Sequence, residues 1–238
     1  MRRAPFGLLV FVLVCGLFRP AAVSAQQSVN FWVGGFVPRG EDARGRDGGR
    51  ASDDVLVRNL DTLAFNVSDF AHATIGGEWL TNLGNHAEAG LGLGFYRRTV
   101  PTVYRYLVNS DGSDIEQQLR LRVVPFTATI RFMPLGHRAP IQPFIGVGVG
   151  VFAWRYAESG QFVDVTDSSI FRDSFVATGA ATGPLVVAGA RIPIGPGTIG
   201  GEIRYQSANG KLPADQGFAG RRIDLGGFNY LATFSIRF

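Results

Sequence analysis

Asp224-Leu-Gly-Gly-Phe-Asn-Tyr-Leu-Ala-Thr-Phe-Ser-Ile-Arg-Phe238 ends the chain on an alternating run of apolar and polar residues. From Phe228 onward, Phe228, Tyr230, Ala232, Phe234, Ile236 and Phe238 are apolar. Asn229, Thr233, Ser235 and Arg237 lie between them, with Leu231 the one exception. A period of two marks a strand with one apolar and one polar face. A soluble protein seldom finishes such a strand on an aromatic, so the rest of the chain is read as a sheet closing against it.

Working back, seven more segments have strand character: about Val29–Pro38, Ala71–Thr81, Ala87–Arg98, Gln118–Phe132, Ile141–Arg155, Thr182–Ile194 and Thr198–Ser207. The first is apolar on both faces (Phe31, Trp32, Val33, Phe36, Val37), which leaves its facing open. In the third, Ala89, Leu91, Leu93 and Phe95 alternate with Glu88, Gly90, Gly92, Gly94 and Tyr96; in the fifth, Ile145, Val147, Val149 and Val151 alternate with glycines. The connections alternate too. Arg39–Asp69, Thr99–Glu116, Tyr156–Ala181 and Ala208–Arg222 read as long polar loops, whereas Asn82–His86, Met133–Pro140 and Gly195–Gly197 read as short turns. Up-and-down strands with long loops at one end and short turns at the other are what a transmembrane barrel requires. In lipid, only a closed sheet satisfies every backbone polar group. The expected fold is therefore all-β: an eight-stranded antiparallel up-and-down transmembrane β-barrel.

Arg2 and Arg3, the apolar run from Phe6 to Phe18, and the small residues of Val23-Ser24-Ala25 predict a cleavable signal peptide over 1–25, with the barrel domain over 26–238. The only cysteine, Cys15, falls in that leader, so the mature chain would hold no disulfide and no thiolate. Losing Arg2, Arg3 and Arg19 takes the formal charge of +4 down by three, to +1. A near-neutral chain gives no reason to expect a nucleic-acid partner.

A soluble eight-stranded barrel would place its apolar rows inward instead. The charges favour the membrane reading. With the apolar rows facing lipid, the lumen collects Glu78, Glu88, Arg131, Arg191, Glu202, Arg204 and Arg237, whose opposite charges can pair in a narrow interior. Eight strands leave a lumen that side chains just fill, so a plugged barrel is expected. Trp79, Phe132, Tyr205, Tyr230 and Phe238 would suit the interfacial girdles.

The closing Tyr230-Leu-Ala-Thr-Phe-Ser-Ile-Arg-Phe238 and the Gly-x-Gly strands at Gly90–Phe95 and Gly146–Val151 resemble the small eight-stranded outer-membrane proteins of the OmpA-transmembrane, OmpX and OmpW kind. The resemblance implies location in the outer membrane of a Gram-negative cell, a monomer, and lipid with lipopolysaccharide as its surroundings. It also implies recognition of Tyr230, Phe234, Ile236 and Phe238 by the barrel-assembly machinery.

Catalysis needs a nucleophile, a base and an acid held together. His86 and His137 fall in short turns; only His72, near Ser68 and Asp69, lies at the long-loop end, and no enzyme is expected. No cofactor and no metal spacing stands out, although Asp53, Asp54, Asp164, Asp167 and Asp173 are loop acids of the type calcium uses. Asn66-Val67-Ser68 has the form of a glycosylation sequon, with no meaning in such a cell. Arg39, Arg44, Arg46 and Arg50 in the first loop would meet lipopolysaccharide phosphates if not merely solvated. In the same loop Leu56, Leu60 and Leu63 have helical spacing after Ser52-Asp53; this is either a short lid or a strand extension. The expected function is a structural or surface-interaction barrel. The alternative is a narrow channel or hydrophobic-ligand conduit with an apolar opening at Trp32 or Phe36.

Overall fold

The computed structural model describes residues 26–44, 53–164 and 166–238. The expected signal peptide, Cys15, Arg46, Arg50 and Ser52 lie outside the described residues. Eight strands form a closed antiparallel barrel in the order β1-β10-β7-β6-β5-β4-β3-β2. They are β1 (Gln27–Pro38), β2 (His72–Asn82), β3 (Ala87–Val108), β4 (Asp114–Phe132), β5 (Gln142–Val163), β6 (Ile170–Ile194), β7 (Gly197–Gln206) and β10 (Gly227–Arg237). A small pair, β8 (Asn209–Lys211) and β9 (Arg222–Asp224), stands apart from the ring. The C-terminal strand closes on the first, with Phe31 opposite Phe234 and Val29 opposite Ile236.

Strand lengths divide the barrel in two. β1, β2, β7 and β10 have 12, 11, 10 and 11 residues, close to the ~9–11 that a tilted strand needs to cross a bilayer. β3, β4, β5 and β6 have 22, 19, 22 and 25 residues and continue far beyond. In the membrane half, Phe31, Ile75, Leu93, Phe126, Val149, Ile203 and Tyr230 all point outward and are exposed. Such a continuous apolar exterior on a closed sheet is that of a membrane-spanning barrel. The facing of β1 resolves with it: Phe31 and Val33 are outward, Trp32 and Phe36 inward.

In the extended half the alternation inverts. On β4 the outward apolar row Phe126, Ala128, Ile130, Phe132 gives way to buried Leu119, Leu121 and Val123, one position out of phase. On β5 outward Val147, Val149 and Val151 give way to inward Phe152, Trp154 and Tyr156. Two expected loops are accordingly corrected: within them 99–108, 114–116, 156–163 and 170–181 are strand, which leaves only 109–113 and 164–169 as connections. Most outward positions there face water and are polar, apart from exposed residues near the hairpin tips such as Tyr106 and Leu107, and the apolar rows move to the inside.

Residues 53–70 of the first long loop fill this upper barrel. Its helix α1 (Val55–Asn59) is capped by Asp54, whose side chain accepts from the N–H groups of Leu56 and Val57. The helix is shorter than the leucine spacing suggests, and Asp54, not Ser52-Asp53, begins it. Val55, Leu56, Leu63, Phe65 and Phe70 join Leu119, Leu121, Phe152, Trp154 and Tyr156 in one buried apolar cluster. The loop also covers the free edge of β3: Ala64 N–H donates to Val103 O at 2.8 Å and Arg105 N–H to Thr62 O at 2.9 Å. Unpaired edges invite aggregation, and this contact removes one.

Candidate functional site

The lumen of the membrane half is organised by Arg131 of β4, 1 % exposed. Its guanidinium is in contact with Glu78, and lies 3.0 Å from Glu202 and 3.6 Å from Glu88. Arg204 reaches Glu202 at 2.6 Å and Glu78 at 3.5 Å, and Arg191 is in contact with Glu88. Three carboxylates and three guanidinium groups therefore form one neutral, buried network spanning β2, β3, β4, β6 and β7. Thr129 Oγ1 donates to Glu78 at 2.9 Å. Arg237, grouped with these residues on sequence, makes none of the ion pairs and donates instead to Gln142 Oε1 at 3.4 Å.

Aromatic rings roof and line the network. The Arg131 and Arg191 guanidinium carbons lie 4.9 and 5.4 Å from the Phe144 ring centre, and that of Arg204 lies 4.6 Å from Trp32. Trp32 rests on a glycine floor, and a Cβ added to Gly76 would sit 2.3 Å from its ring. No larger residue fits there. Phe36 stacks edge-on to Tyr96 at 4.9 Å, inside the apolar cluster. Trp32 and Phe36, expected as the apolar opening of a conduit, are thus part of the filling.

A second polar group lies within the upper barrel. Glu158 Oε1 accepts from Asn59 Nδ2 at 2.7 Å and from the Tyr156 hydroxyl at 2.8 Å, with no cation paired to it among the described residues. Burial pushes its carboxyl above the usual range. Asp54 is likewise raised by burial, against the lowering effect of Arg44 at 3.2 Å.

Two of the arginines expected to meet lipopolysaccharide are turned inward. Arg44 is buried on Asp54, and Arg39 reaches Asp224 at 2.7 Å. Buried carboxylates hold them more firmly than a solvated headgroup would, because a buried charge left unpaired is costly. Tyr230, Phe234, Ile236 and Phe238 all face outward on the closing strand.

His72 is exposed, and Asp69 is occupied in accepting from Asn66 N–H at 2.8 Å; no hydrogen bond joins His72 to Asp69 or Ser68. His86 stacks on Phe132 and His137 Nε2 lies 3.3 Å from Ala87 O, both in the short-turn end. Asp164 and Asp167 accept backbone N–H groups in their own turn, and Asp173, on β6, accepts from the N–H of Ser174. Among the described residues no cluster of three metal-ligating side chains occurs.

No protein-family model matches the chain, and no curated protein matches it. Solved structures do. Neisserial surface protein A aligns over 90 % of this chain and 97 % of its own, at 10 % identity and a TM-score of 0.46. Ail of Yersinia pestis, solved with the heparin analogue sucrose octasulfate, aligns over 90 % and 99 %, at 11 % and 0.42. The outer membrane protease OmpT of Escherichia coli aligns over 92 % and 99 %, at 12 % and 0.44. The likeness is one of barrel architecture. At these identities and scores it says nothing of activity, and the fold stands on its own closed ring and apolar exterior.

Proposed function

We propose that this protein is an outer-membrane barrel with a structural or surface-interaction role and a closed lumen. The observation that carries the proposal is that the interior is filled twice in series. The Glu/Arg network occupies the membrane half, and α1 with its apolar cluster occupies the half above. A pore needs a continuous aqueous path, and neither level leaves the side chains free of one another. The conduit reading loses its support because Trp32 and Phe36 are buried in that filling.

On this reading, a leader over residues 1–25 exports the chain, and the barrel-assembly machinery reads the outward row Tyr230, Phe234, Ile236, Phe238. The barrel then sits as a monomer among lipid and lipopolysaccharide. The long strands β3–β6 lift the hairpin tips clear of the bilayer, where Tyr106, Leu107 and Val108 are exposed as contact residues. Among the described residues, His72 has no hydrogen bond to Ser68 or Asp69, the one grouping at the long-loop end that enzymatic chemistry would use.

The test is fractionation joined to solute flux. The protein should be found in the outer-membrane band of a density gradient, run faster on gels when unheated, and leave proteoliposomes impermeable to small sugars. Recovery with the soluble periplasm, or swelling in arabinose, would overturn the proposal.

A further inference from the structure

Arg97 of β3 is directly opposite Arg122 of β4, which is directly opposite Arg155 of β5. All three are exposed and outward-facing. Like charges placed opposite each other across strands destabilise a sheet. Adjacent strands are only ~4.8 Å apart, so three cations are held in a short row. None of the three side chains makes a hydrogen bond or ion pair with another described residue. Arg120, one outward position further along β4, donates to Thr99 Oγ1 at 3.2 Å and adds a fourth cation nearby. The outward carboxylates of β4, Asp114 and Glu116, lie at its far end. The protein therefore gathers positive charge here and supplies no anion to balance it.

The location identifies the missing anion. The next outward row towards the membrane is Phe95, Val124 and Ala153, and below it come Leu93, Phe126 and Val151. The arginine row thus begins where the exterior changes from apolar to polar and the alternation inverts. That boundary is the level of the lipid headgroups. Beneath it, Ile75, Leu91, Leu93, Phe95, Phe126 and Val149 line an open apolar groove of about 1260 Å³ in the outer wall. A row of guanidinium forks above an apolar groove matches one kind of molecule, with phosphate at the head and acyl chains below. Arginine is the side chain suited to phosphate, since its planar fork can donate two parallel hydrogen bonds.

We infer that Arg97, Arg122 and Arg155 form a binding ladder for a phosphorylated lipid of the outer leaflet, with its acyl chains in the groove below. The inference rests on the outer-membrane reading above and names its lipid partner. It also places a phosphate contact on the wall of β3–β5, apart from the first loop.

The experiment uses the full-length folded barrel reconstituted in phosphatidylcholine vesicles, with lipopolysaccharide retention measured against enzymatically dephosphorylated lipopolysaccharide. The triple variant Arg97→Gln, Arg122→Gln, Arg155→Gln is compared with a control of Arg58→Gln and Arg172→Gln. Wild type and control should retain the phosphorylated lipid equally. The triple variant should lose it on the order of a hundredfold, because each arginine at an anionic surface contributes about 1 kcal/mol, a roughly fivefold factor. Wild type should bind the dephosphorylated lipid no better than the variant does. Equal retention by wild type and triple variant, or equal binding of both lipids, would overturn the ladder. So would displacement of the lipid by millimolar inorganic phosphate, which would mark a free-anion site. An unheated gel shift read on each variant keeps folding separate. Failure of the outer-membrane reading itself would show differently, as wild-type barrel that does not insert in vesicles at all.

Discussion

Asn59 Nδ2 on the helix of the first loop donates to Glu158 Oε1 on β5 at 2.7 Å, deep in the upper barrel. The bond joins the plug to the wall, and its acceptor titrates. Burial raises the Glu158 carboxyl above its ordinary value of 4.5, and Asp54 at the start of the same helix is raised from 3.8. A carboxyl whose folded pKa is raised contributes its full stability below the unfolded value and loses it as pH climbs through the folded one. The plug should therefore be tightest in acid and loosen as pH rises above 4.5. Amide exchange of residues 55–59, corrected for intrinsic rate, should quicken across that window. Glu158→Gln should flatten the dependence, leaving the part due to Asp54. A plug that tightened with rising pH would refute this.

Asp54 has two tasks, capping α1 and pairing with Arg44. Loss of a cap costs about 0.5–2 kcal/mol, and loss of the carboxylate also removes a buried ion-pair partner of Arg44. Asp54→Ala should thus open the first loop to protease while the barrel keeps its unheated gel mobility. Asp54→Asn retains a capping oxygen and should lie between. Cleavage at the wild-type rate in Asp54→Ala would contradict the assignment.

Arg131 serves three carboxylates. Removing one partner of a buried pair costs about 3–5 kcal/mol, so Arg131→Ala should lower the urea midpoint of the refolded barrel clearly. Arg131→Lys keeps the charge without the fork and should be intermediate. Since the plug lies in series, neither variant alone should conduct; conductance should need Arg131→Ala together with deletion of 53–64. An Arg131→Ala barrel as stable as wild type would sink the network as a structural element.

Phe238 is outward and 70 % exposed, and its backbone pairs with Gln27 of β1, donating at 3.0 Å and accepting at 3.3 Å. Its deletion removes that end pair but little side-chain packing. It should therefore sharply reduce outer-membrane levels in cells, while the same variant refolded in detergent shows wild-type spectra and stability. Normal cellular levels would remove the assembly role.

The membrane half was legible because lipid imposes one rule on every strand: Leu91, Leu93 and Phe95, or Val147, Val149 and Val151, alternate with glycine and charge without a break. The same rule hid the upper half. Where β4 leaves the bilayer, its apolar positions slip from even to odd numbers, from Phe126 to Val123, Leu121 and Leu119. A reading that follows one apolar face loses the strand at that point and sees Thr99–Glu116 as loop. Read as a phase slip, those residues mark the edge of the membrane. The network residues were visible because a charge on the face opposite an apolar row has to lie inside. Arg237 falls outside the ion pairs because it lies at the last rung, where Gln142 is in reach and the carboxylates are not. The partners of Arg39 and Arg44 depend on contacts across the fold with Asp224 and within the folded loop with Asp54, which no local pattern carries.

The central claim is that two fillings in series close this barrel. Single-channel recording of the wild-type protein, refolded and inserted in a planar bilayer in molar salt, tests it most directly. A barrel closed in this way leaves the membrane silent, with insertion confirmed by protease protection; regular, discrete openings from the unmodified barrel would show an open path.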